Sequence, residues 1–154
     1  MRSSMLKILL LAGLLAVFCT GCGDPPPPTP EELYDKGRRR YDEGDLSEAV
    51  GYFRQAAEKG HAKAQYKLGL CYYKGIGVEA DHKQAVSWWK KAAEQGHPKA
   101  QKRLAVCYFT GDGVRMDLPE AVSWYGKSVR KKYNDTKEAL EALKVLKSFF
   151  ETDD

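Results

Sequence analysis

Neither sign of charge dominates this chain. Lys and Arg number 25 against 21 Asp and Glu in 154 residues, a formal net charge of +4. Two of those bases, Arg2 and Lys7, lie in the N-terminal segment. A nucleic-acid binder needs a basic stripe, and this balance gives no case for one. The chain is also too short for a barrel enzyme of the usual ~250 residues. The S-D-N and K-T-G elements of penicillin-interacting serine enzymes occur nowhere in it. Cysteine is sparse, with 4 in all, and only Cys71 and Cys107 lie beyond residue 22.

The apolar run Ile8–Phe18, behind Arg2 and Lys7, stops well short of the ~20 residues that span a bilayer. It fits the apolar core of a secretory signal. Cys19-Thr-Gly-Cys22 follows. Small residues at Thr20 and Gly21 before Cys22 resemble the bacterial lipoprotein signal, the lipobox. That resemblance implies cleavage before Cys22, which would carry a diacylglycerol on its sulfur. Cys19 departs from the pattern, where Leu is usual. The expected organisation is a signal peptide over 1–21, then a lipidated cysteine and Pro-rich linker over 22–30. Pro25 to Pro28 and Pro30 lack amide donors and fix φ. They favour a polyproline II spacer at ~3.1 Å per residue.

The remainder repeats itself. Lys63–Pro98 and Lys99–Asn134 align without a gap: Ala64/Ala100, Leu68/Leu104, Cys71/Cys107, Gly75/Gly111, Gly77/Gly113, Asp81/Asp117, Ala85/Ala121 and Trp88/Trp124 coincide. A period of this size signals stacked helix pairs. Residues 31–62 form a shorter unit in the same register through Asp45, Ala49, Val50, Ala56, Ala57, Gly60 and His61.

Each unit reads as two helices. Ala64, Leu68, Cys71 and Tyr72 fall on one helical face, and Gly75 stops that helix. The second helices start at Asp45…Glu48, Asp81…Gln84 and Asp117…Glu120, the spacing of a capping box. A last helix is expected over 135–154, with Leu140, Leu143, Leu146 and Phe150 on one face and an acidic tail behind. It would cap the open end of the stack. The expected fold is all-α: a solenoid of antiparallel helix pairs, about seven helices in total.

The two longer units resemble Sel-one-like repeats through Ala64, Leu68, Gly69, Tyr72, Gly75, Gly77, Val78, Asp81, Ala85, Trp88, Ala92, Ala93, Gly96 and His97. Ala105 and Ser128 depart from Gly69 and Ala92. The first unit resembles a tetratricopeptide repeat through Leu33, Gly37, Tyr41, Gly44, Asp45, Ala49, Phe53 and Ala56. The resemblance implies an α-solenoid that binds proteins or peptides, without catalysis or cofactor. With the signal segment it implies attachment to a bacterial cell envelope, facing the periplasm or the surface. Gly23 after Cys22 favours the outer membrane.

Other chemistries lack their context. Gly75-Ile-Gly77 imitates a dinucleotide fingerprint, but follows a helix where that motif follows a strand. Ser87-Trp-Trp-Lys90 and Ser128-Val-Arg-Lys131 match S-x-x-K and leave a penicillin-binding or cell-wall-directed hydrolase as the alternative. A structural subunit of an envelope complex is the other. Cys71 and Cys107 sit at one position of adjacent units. Packed helices lie ~8–10 Å apart, beyond the ~7 Å that a disulfide spans, so two buried free thiols are expected. A zinc site at His61 and His97 is weaker, because the repeat itself explains both.

A second row on each first helix is offset from the buried one: Tyr34, Arg38 and Tyr41; Tyr66, Leu70 and Tyr73; Lys102, Val106 and Phe109. Each triple has helical spacing. The resemblance puts these helices on the concave side of the solenoid. The three rows would then join as a partner-binding groove for a protein or peptide bearing an acidic residue. The alternative is that the rows pack between units.

Overall fold

The computed structural model describes residues 26–133. Cys22 with its signal segment, and the expected capping helix over 135–154, lie outside the described residues. Six helices form, and no strand occurs among the described residues: α1 (Pro30–Glu43), α2 (Leu46–Glu58), α3 (Ala62–Lys74), α4 (His82–Glu94), α5 (Pro98–Thr110) and α6 (Leu118–Tyr133). They pack as three pairs, α1 with α2, α3 with α4 and α5 with α6. The pairs join through α2 on α3 and α4 on α5, the stacking of an α-solenoid. No described helix is long and apolar enough to cross a membrane.

Local chemistry sets the helix starts. Thr29 Oγ1 accepts from the Glu32 amide at 3.2 Å, and Glu32 accepts from the Thr29 amide at 2.8 Å, a closed capping box. Asp81 and Asp117 accept from the amides of Gln84 and Glu120, both at 3.0 Å. The cap expected at Asp45 is absent. Its carboxylate instead lies 3.4 Å from Arg40, a guanidinium that also reaches Glu43 and Glu48. The Asp45 backbone, at φ −80° and ψ 65°, lies outside the extended conformation of Asp81, which does cap its helix. α3 and α5 start on imidazoles: His61 and His97 Nδ1 accept from Ala64 and Ala100 at 3.3 and 3.2 Å.

Within each pair a large ring from the second helix sits against a notch in the first. Phe53 covers Gly37, where a Cβ would come within 2.7 Å of its ring. Trp89 is wholly buried over Gly69, and a Cβ there would overlap the indole. Trp89 Nε1 also donates to the Tyr66 carbonyl at 3.2 Å. In the third unit Ala105 replaces the glycine and Tyr125 replaces the indole. Burying rings of this size dominates core energetics.

Between pairs, backbone meets backbone. Gly77 has φ 66° and Gly113 φ 70°. A Cβ on either would overlap the carbonyl of Leu46 or of His82, in the first turn of the preceding second helix. Buried Gln65 and Gln101 donate to the carbonyls of Ala57 and Ala93, both at 3.1 Å. The same carbonyls also accept from the backbone amides of Gly60 and Gly96, at 3.0 and 2.9 Å, so each glutamine adds a second donor at a helix end. Arg54 donates to the Tyr72 hydroxyl at 3.0 Å across the first joint.

Cys71 and Cys107 are free and buried, as expected from their spacing. Burial pushes both thiols up to about 11.

Two outcomes follow from this packing. Gly69→Ala forces the indole of Trp89 to move and should cost about 1–3 kcal/mol, as overpacking does, despite the gain in helix propensity. Adding Trp89→Tyr reproduces the third unit and should recover part of that loss in urea denaturation. Strict additivity of the two changes would show that the notch is not where they meet. Iodoacetamide at pH 8 should leave both thiols unmodified in the native chain and label both after denaturation, because the thiolate is the reacting form.

Candidate partner-binding surface

The row residues of the first helices separate into different environments. Tyr34 is buried, its ring 5.8 Å from Phe53 and 4.9 Å from His61. Arg38 is exposed and lies 3.8 Å from Asp35. The Lys67 ammonium sits 5.7 Å above the Tyr41 ring. Tyr66 stacks on His97 at 4.8 Å, and Leu70 is half-buried against the core. Tyr73 lies against His82 and Trp89, at 4.5 and 5.3 Å. Lys102 is exposed, and so are Val106 and Phe109, at 48% and 49%.

Three of these residues come together. Tyr66, Lys102 and Val106 line one hollow of about 340 Å³ with Lys99 and Arg103. It spans α3 and α5, with an aromatic wall, an aliphatic floor and three cations. Lys99 and Arg103 were not among the row residues, although their spacing from Lys102 and Val106 was there to be read. Helical neighbours at i+3 and i+4 share a face.

The joint between the second and third units carries a polar cluster. His82 Nδ1 lies 2.5 Å from Asp112 Oδ1, and the Tyr73 hydroxyl also bonds that carboxylate. The His82 bond, with the Tyr73 bond behind it, holds the Asp112 carboxyl below its usual range. Bonding to Asp112 in turn raises the Tyr73 phenol. The equivalent positions one unit earlier are Tyr41, Leu46 and Ile76, so this cluster belongs to one joint alone.

The serines of the two S-x-x-K matches both sit on second helices. Ser128 Oγ donates to the Tyr125 carbonyl of its own helix at 2.7 Å, and Ser87 is exposed on α4. No group of three or more His, Cys, Asp or Glu side chains that could hold a metal occurs among the described residues.

A depressed carboxyl stabilises the fold above its ordinary range and loses that contribution as pH falls through its folded value. Wild type should therefore melt above Asp112→Asn at pH 7. The difference should shrink as the pH falls below the ordinary carboxylate range and through the depressed folded value of Asp112. A gap independent of pH would assign the loss to packing.

This stack of helix pairs is similar to those of known proteins. A protective antigen of uropathogenic Escherichia coli strains with an SLR fold superposes with a TM-score of 0.63 at 42% identity, over 66% of this chain and 23% of the antigen. A Sel1 repeat protein from Oxalobacter formigenes matches with a TM-score of 0.63 at 36% identity, over 66% of this chain and 42% of its own. The putative beta-lactamase HcpC of Helicobacter pylori is 33% identical over 78 residues, 51% of this chain and 25% of that protein. This chain thus spans a fraction of the longer proteins that it matches. The Sel1 repeat profile covers residues 32–61, 62–97 and 98–133. Sel1-repeat proteins are generally non-enzymatic scaffolds for protein interaction. With three consecutive matches carrying most of its length, the chain belongs to the Sel1-repeat family.

Proposed function

We propose that this chain is a lipid-anchored binding scaffold of the bacterial cell envelope, and that it recognises a protein partner through its first helices. The observation that carries the reading is the face of α5, where Lys102, Val106 and Phe109 stand exposed in one row. Large apolar residues on a rigid helix, rimmed by cations, are the composition of an interaction surface. The stacked frame supports this role, because packing against the neighbouring unit holds α5 in place. A lipid on Cys22 would supply the tether, and the residues up to Thr29 the spacer. Lys59 Nζ donates to the Pro28 carbonyl at 3.0 Å, so the spacer's end is fastened to the first unit. Gly23 after Cys22 favours the outer membrane.

The tether and the surface are tested together. Metabolic labelling with a fatty acid should mark wild type and not Cys22→Ala, which should leave the membrane fraction or stay unprocessed. Multiple acyl chains hold firmly where one holds weakly. Photo-crosslinking in intact cells from residue 106 should give a discrete adduct, whereas crosslinking from residue 90 on α4 should not. Val106→Ala with Phe109→Ala should lose the partner by about ten-fold or more, the effect of truncating central apolar contacts. Lys83→Ala with Lys90→Ala should keep it. Equal retention by both pairs would place recognition elsewhere.

A further inference from the structure

The first two units show what kind of group settles at the N-terminal end of a first helix. Glu31 projects from the first turn of α1 onto the start of α3. Its carboxylate lies 2.7 Å from His61 Nε2 and 3.7 Å from Lys63 Nζ. His61 caps α3, and Lys63 is its second residue. One unit on, the corresponding residues of α5 are His97 and Lys99. The residue corresponding to Glu31 is Lys63, of the opposite charge. No carboxylate among the described residues lies within ion-pair distance of Lys99, Lys102 or Arg103.

The charge of the surrounding face is segregated. α3 carries Lys63, Lys67 and Lys74, and α5 carries Lys99, Lys102 and Arg103, and neither helix contains an acid. α1 on the same side of the stack holds Glu31, Glu32 and Asp35 in its first two turns. Lys99 stands in the first turn of α5, against the helix dipole. Its neighbours at i+3 and i+4 are cations too, an arrangement that destabilises a helix by a few tenths of a kcal/mol per pair. Each of these choices weakens α5 taken alone, and each is relieved by an anion in the hollow beside them.

We propose that the hollow formed by Tyr66, Lys99, Lys102, Arg103 and Val106 receives a side-chain carboxylate from an acidic segment of the partner protein, as Glu31 serves the joint before it. Val106, half exposed, forms the floor on which an aliphatic residue of the same segment rests. Arg103 and the two lysines then meet the carboxylate by charge-assisted hydrogen bonds. Glu31, Glu32 and Asp35 at the start of α1 interrupt the basic surface on that side, so it is not the continuous stripe that a nucleic acid needs. The proposal rests on the scaffold reading for its partner and adds the chemistry that the partner must present.

The test uses the detergent-solubilised full chain and two dye-labelled octapeptides, blocked at both ends so that only side chains can supply a charge. One contains three glutamates and one leucine, and the other has glutamine in place of glutamate. Fluorescence anisotropy should show the glutamate peptide binding about ten-fold or more tightly than its glutamine counterpart, with affinity falling as salt rises. Lys102→Glu with Arg103→Glu should abolish that preference while leaving the circular dichroism unchanged. Lys90→Glu with Lys91→Glu on α4 should keep it. Should the double α5 variant not fold, Lys102→Gln alone should reduce the preference several-fold. Equal binding of the two peptides, no binding by either, loss of preference in the α4 variant, or full displacement by equimolar inorganic phosphate would each overturn the proposal. If the partner crosslinks from residue 106 while the peptides bind equally, the scaffold reading stands and its acidic ligand falls. If the glutamate peptide binds at α5 with no adduct in cells, the site stands and the cellular scaffold falls.

Discussion

The seating of a bulky ring in a glycine notch is the contact from which the rest of the architecture follows. Trp89 over Gly69 and Phe53 over Gly37 bring the two helices of a pair closer than side chains on both partners would allow. The remaining contacts within each pair depend on that approach. Ala49, Ala56, Ala57, Ala85, Ala92 and Ala93 are all buried, and only small residues fit where the second helix lies so near its neighbours. The bond from Trp89 Nε1 to the Tyr66 carbonyl fixes the indole's rotation and satisfies its one polar atom. In the third unit Ala105 and the smaller Tyr125 stand at the positions of Gly69 and Trp89. The volume removed from the ring is partly returned on the opposing helix, which keeps the packing density that interiors require.

Much of this was legible in the sequence, and the parts that were not have identifiable reasons. The period revealed the helix pairs, and carboxylates three residues before an acceptor marked the starts of α4 and α6. Asp45 has the same pattern and fails as a cap because its backbone, in the tight α1–α2 turn, departs from the extended conformation that Asp81 adopts. His61 and His97 were read as products of repetition, since imidazole is not among the usual N-cap side chains. Their role emerges only from the backbone angle at which they enter α3 and α5. Trp88 belongs to the repeat pattern, yet Trp89 is the wholly buried ring. Adjacent tryptophans differ by only ~100° around a helix, and periodicity does not say which of two large apolar residues turns inward. The surface row was legible as spacing, but Tyr34 at its first position is buried against Phe53 and His61.

The three first helices therefore share a frame without sharing a surface chemistry. α1 presents carboxylates at its start, α3 mixes tyrosines with lysines, and α5 is cationic with exposed aliphatic and aromatic positions. The joints differ as well. His82, Asp112 and Tyr73 build a polar link at the second, where the corresponding residues of the first are Leu46, Ile76 and Tyr41. A repeat can carry such variety because each unit contacts only its neighbours, so a local change is answered locally.

The joints at Gly77 and Gly113 set how freely that variety can arise. There the loop of one unit meets the carbonyl of the unit before it with no side chain between them. The angle between successive units is consequently dictated by main chain, and main chain is the one part of a protein that substitution leaves intact. Solvent-facing positions of the first helices can be rewritten without bending the array, and a further unit that keeps these glycines inherits the same pitch. The glycines thus act as a ruler for a modular rod, separating the question of how long and how curved it is from the question of what it recognises.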